Sequence, residues 1–115
     1  GDNGVNVWDF TGIELDGDLT VSAGGGNDEV TASNISNTVS RGGGGNDTLN
    51  GSQTNTTYQV NGTNDGYDIY NGGSGVDTIV ALSDGTDIGI LGDLSKAVNS
   101  IDEISANGKS NVSLA

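Results

Sequence analysis

The 115-residue chain has no cysteine, methionine, proline or histidine. Disulfides, thiol chemistry and zinc or copper centres built on thiolate or imidazole are thereby excluded, which leaves a hard, oxygen-held cation as the available metal chemistry. Basic residues are nearly as scarce: Arg41, Lys96 and Lys109 face 16 acids, for a formal charge of −13. Such a balance disfavours nucleic acid and anionic membranes as partners, and a compact state would repel itself unless cations bind or the acids lie far apart. One Trp, one Phe and three Tyr, within a hydrophobic content of 31%, are a thin supply for a core. No apolar run reaches the length of a membrane span, so no membrane insertion is expected. Starting at Gly1 without a signal-like segment, the chain reads as a soluble piece of something longer. Catalysis is not expected either. No His or Cys can serve as base for a serine nucleophile, and the glycine run at 42–45 is followed by acid where a phosphate loop needs lysine.

Glycine, by contrast, is abundant, with 21 residues, and its placement is regular. "GGGGNDTLN" (42–50) and "GGSGVDTIV" (72–80) both fit G-G-x-G-x-D-x-U-x, where U is a large apolar residue. "AGGGNDEVT" (23–31) has Ala23 in the first glycine place, and "GDNGVNVWD" (1–9) has Asn6 in the aspartate place. "TNDGYDIYN" (63–71) keeps Gly66, Asp68 and Ile69 near the pattern, and "SDGTDIGI" (83–90) is weaker still. Reading U as Val21, Val30, Val39, Leu49, Tyr58, Ile69, Ile79 and Ile88 gives intervals of 9, 9, 10, 9, 11, 10 and 9 residues. Low hydrophobicity with high charge also suits a disordered chain, but a nine-residue rhythm of short Thr, Val and Ile segments does not. Very short strands joined by tight turns are expected, forming an all-β parallel solenoid.

This repeat resembles that of the RTX (repeats-in-toxin) proteins, over roughly residues 1 to 90. The resemblance implies a right-handed parallel β-roll: six residues turn around Ca²⁺, the next three form a strand with U inward, and two repeats complete a coil of about 18 residues. It also implies several calcium ions and a role outside the cell or at the cell surface. There the module would serve as a bacterial spacer or adhesin segment, with neighbouring modules of the same polypeptide as partners. Folding would then be driven by calcium binding.

With two repeats per coil, alternate loops stack on one edge. The first edge is expected to carry Asn6, Asp28, Asp47, Asp65 with Asp68, and Asp84 with Asp87, at spacings such as 28 to 47 (19), 47 to 68 (21) and 68 to 87 (19). The second carries "LDGDL" (15–19), "SNISN" (33–37), "SQTNT" (52–56) and "GGSGVD" (72–77). Calcium takes about six to eight oxygens, more than one acid per loop can supply. The carbonyls of glycines such as Gly24, Gly26, Gly42, Gly43 and Gly45 are therefore expected to contribute, since glycine turns successive carbonyls toward one point without a Cβ clash. Asp28 with Asp47 is the leading pair, followed by Asp47 with Asp68. Asn6 offers a neutral oxygen and a weaker site. Asp77 follows an acid-free loop on its edge, so weak or no binding is expected there.

Trp8 occupies a U place and reads as core, whereas Tyr67 and Tyr70, read as flanking Ile69 on the outside, could meet a sugar. A calcium-dependent carbohydrate-binding module, with polysaccharide as partner, is therefore the alternative function. The pairs Asp16/Asp18 and Asp102/Glu103 read as solvated surface acids. Residues 91–115 lose the rhythm and are expected to cap or dock the last coil. One or two helical turns would place Leu94, Ala97, Val98 and Ile101 inward, with short strands in "DEISA" and "NVSLA". The whole of 1–115 is thus read as one module.

Overall fold

The computed structural model describes residues 4–92 and 94–114. Short strands alternate between two parallel sheets, so that each strand returns to its own sheet one coil later. The first sheet stacks β1 (Val7–Asp9), β3 (Glu29–Thr31), β5 (Thr48–Asn50), β7 (Ile69–Asn71) and β10 (Val98–Asn99). The second stacks β2 (Leu19–Ser22), β4 (Thr38–Arg41), β6 (Thr56–Val60), β8 (Asp77–Ala81) and β11 (Glu103–Ser105). A further parallel pair joins β9 (Asp87–Ile88) to β12 (Ser113–Leu114), and α1 (Leu94–Ala97) is a single helical turn. The protein is a parallel β-roll.

Period-two alternation decides which residues enter the core. In the first sheet Trp8, Val30, Leu49, Tyr70 and Val98 share one column, and in the second Val21, Ser40, Tyr58, Ile79 and Ile104 share the other. Most of these residues belong to or pack on one buried cluster, with the Tyr58 and Tyr70 rings edge to face at 5.5 Å. Two sequence expectations are corrected here. Val39 is not an inner residue; Ser40, two places after Thr38, faces inward between Val21 and Tyr58. Likewise Tyr70, 0% exposed, takes the inner place expected for Ile69, because the aspartate of each repeat is followed two residues later by the inward side chain. A one-residue slip in a strand swaps its faces. Tyr67 does lie outside, at 49% exposure.

The C-terminal segment behaves largely as expected. After α1, β10 extends the first sheet, β11 the second, and β12 lies beside β9, so residues from 94 onward build a further coil over the repeats. Ala97 is fully buried, and Val98 and Ile101 pack on the core cluster.

Candidate metal centre

The first-edge loops (23–28, 42–47, 61–68 and 82–90) lie directly on one another. Gly43 has φ +89° and Gly45 φ +102°, and a Cβ on either would run into the carbonyl oxygen of Gly24 or Gly26 in the coil below. Glycine is therefore required twice over, by the left-handed backbone and by the contact between loops. The Gly44 N–H donates to the Gly24 carbonyl at 3.0 Å, which fixes the stacking distance. Within its own loop, Gly42 leaves the space into which Asp47 Oδ2 fits; a Cβ there would collide with that oxygen.

The residue closing each loop points into the turn. Asp28 Oδ1 accepts the Asn6 N–H at 2.7 Å, Asp47 Oδ1 the Asp28 N–H at 2.8 Å, and Asp68 Oδ1 the Asp47 N–H at 2.8 Å. Each acid thus reaches back one coil. Asparagines reach the other way: Asn27 Oδ1 accepts the Asn46 N–H at 2.8 Å, and Asn46 Oδ1 the Tyr67 N–H at 3.0 Å. The second oxygen of the inward residue is the unusual feature. Asn6 Oδ1, Asp28 Oδ2 and Asp47 Oδ2 are buried without a hydrogen-bond partner. Leaving such groups unsatisfied costs about 1–3 kcal/mol each, more when charged. Burial accordingly pushes the Asp47 carboxyl up to about 6 and Asp68 up to about 8, the latter despite the Asp47 N–H.

Comparison with protein-family profiles, curated proteins and solved structures returned no match.

On the second edge most loops are joined by hydroxyls. The Ser33 hydroxyl donates to the Ile13 carbonyl, Ser52 and Thr54 donate to the Ser33 carbonyl at 2.6 and 2.8 Å, and the Leu15 N–H donates to Ser36 Oγ at 2.8 Å. The "GGSGVD" loop differs. Asp77, 0% exposed, has Oδ1 on the Thr56 N–H at 3.0 Å and an unpartnered buried Oδ2, the latter in the space left by Gly72. Burial raises its pKa as well. Asp102 then accepts the Asp77 N–H at 2.8 Å, repeating the first-edge hydrogen bond from an exposed side chain. Asp102 is exposed, as expected of a solvated surface acid, but its hydrogen bond to Asp77 goes beyond that reading; the spacing Asp102-Glu103-Ile104, which pairs Ile104 with Ile79, is the available signal.

Three predicted residues stand elsewhere. Asp65 forms an ion pair with Arg41 at 3.3 Å and accepts the Asn61 N–H at 2.8 Å. Asp84 accepts the Ser110 N–H at 2.9 Å and Asp87 the Ser113 hydroxyl at 3.1 Å, so both fasten the C-terminal segment. Opposite Asp68 the next coil presents Ile90 instead of an acid.

Among the described residues, no three His, Cys, Asp or Glu side chains gather at one point. A cation here would need carbonyl oxygens beside carboxylates. The unpartnered buried oxygens, all-oxygen donor set and adjacent glycine backbones fit a hard cation such as Ca²⁺. Asn6, Asp28 and Asp47 with the Gly24, Gly26, Gly42, Gly43 and Gly45 backbones would hold it on one edge, and Asp77 with Asp102 on the other. A bound cation would favour ionised carboxylates and reverse the rise in their pKa values.

Proposed function

We propose that this chain is a calcium-dependent RTX-type structural module, folding on Ca²⁺ outside the cell and acting as a spacer or adhesin segment of a secreted bacterial protein. The observation that carries this reading is the row of inward, buried, unpartnered oxygens at Asn6, Asp28 and Asp47, repeated at Asp77. Buried carboxylate oxygens that lack a counter-charge within the protein make metal binding part of folding. The chain is taken to be non-catalytic. Neighbouring modules of the same polypeptide are the proposed partners; among the described residues Val7, Trp8, Asp9 and Phe10 line an open apolar recess of about 400 Å³ that such a module could cover. The carbohydrate-binding alternative loses one of its two rings, since Tyr70 is core, and rests on Tyr67 alone. Circular dichroism tests the main reading: metal-stripped protein should lose its β signal and regain it with Ca²⁺. An unchanged spectrum and melting point after stripping would refute it.

A further inference from the structure

Asp68 departs from the other inward acids in one respect. Its Oδ1 takes the Asp47 N–H as expected, but its Oδ2 accepts the hydroxyl of Tyr70 at 3.2 Å, with both residues buried. The corresponding oxygens of Asp28, Asp47 and Asp77 have no partner. The other inner residues of that sheet, Trp8, Val30, Leu49 and Val98, carry no hydroxyl. A phenol in the core does not produce this contact automatically. Tyr58, in the inner column of the opposite sheet, donates instead to the Asn71 carbonyl at 3.0 Å and leaves Asp77 Oδ2 unpartnered. Beyond Asp68 the row meets Ile90, which has no oxygen in its side chain to offer.

We propose that the Tyr70 hydroxyl terminates the first-edge cation row by occupying the Asp68 oxygen that the other inward acids leave free for metal. Asp28 and Asp47 then bind calcium more tightly than Asp68, whose carboxylate is satisfied from within the protein. The hydroxyl acts through Asp68, so Tyr70 is a positioning residue and touches no ion itself. This inference rests on the calcium reading above.

Calcium titration calorimetry and thermal melts of the whole chain, wild type beside Tyr70→Phe and Tyr58→Phe, test it. Freeing a carboxylate from one hydrogen bond should strengthen the weakest calcium step about tenfold, seen as an added ion where the wild type leaves that step unfilled. Adding Asp68→Asn to Tyr70→Phe should cancel the gain. At limiting calcium, where the fold still forms, Tyr70→Phe should melt below wild type; at saturating calcium it should melt at or above it. Tyr58→Phe should lower both melts equally. An unchanged isotherm for Tyr70→Phe, or equal losses at limiting and at saturating calcium, overturns the inference while leaving the calcium reading standing. A wild type that binds no calcium and ignores EGTA overturns both.

Discussion

The two edges of the roll solve one problem with different chemistry. Both must hold loops of successive coils together where no strand ladder runs. On the second edge, hydroxyls of Ser33, Ser52 and Thr54 donate to carbonyls of the coil before, a metal-independent arrangement that carries no charge. On the first edge, Asp28 and Asp47 each spend one oxygen on a backbone N–H and leave the other buried and unpaired. A neutral edge can close by itself, whereas a carboxylate edge accumulates like charge with every coil and needs counter-charge from outside. Where the second edge adopts the first edge's glycine loop, at Gly72 to Asp77, it adopts the same unpaired oxygen too.

The comparison can be broken at several levels. Chelating calcium should have the largest effect, unfolding the whole module as described above. Next, Gly43→Ala forces a Cβ at φ +89° into the Gly24 carbonyl and should destabilise the calcium-loaded roll by about 3 kcal/mol or more, measured by denaturant melts. Replacing Asp47 by Asn preserves an oxygen for the Asp28 N–H but removes the charge, so calorimetry should show more calcium binding lost than for Asp77→Asn, because Asp47 sits between two inward neighbours and Asp77 beside one. Equal losses would show that the edges do not differ. On the hydroxyl side, Ser33→Ala should cost about 1–3 kcal/mol, with the same value at limiting and at saturating calcium.

The smallest effect is a pH dependence that calcium should invert. Folded pKa values of about 6 for Asp47 and about 8 for Asp68 lie above the ordinary 3.8, so the metal-free fold holds more protons than the unfolded chain across that window. Its stability therefore falls as pH rises from about 4 through those values. Saturating calcium needs the deprotonated acids, so stability should instead rise with pH. Melting points at about pH 5 and pH 8, at limiting and at saturating calcium, check the change of sign.

Much of this architecture was legible in the repeat. The nine-residue rhythm indicated a parallel solenoid, and sorting loops by alternate repeats placed Asp28, Asp47 and Asp68 on one edge. The errors come from weighing aliphatic character above position: Val39 and Ile69 are the aliphatic residues beside the inner place, while counting two residues from Thr38 and Asp68 leads to Ser40 and Tyr70. Asp102 is exposed as its reading implies, and only the two-residue count to Ile104 signals its hydrogen bond to the Asp77 N–H. The Arg41 to Asp65 ion pair spans 24 residues and involves a loop, 61–68, that is two residues longer than 42–47; local spacing carries no trace of such a contact.

Trp8, the sole tryptophan, lies in β1, which among the described residues stands first in its sheet with β3 beside it. Its emission therefore reports on one terminus, while circular dichroism averages over every coil. A delay between the two signals after rapid mixing with calcium would reveal the direction in which the stack assembles, and simultaneous signals would mean that all coils close together.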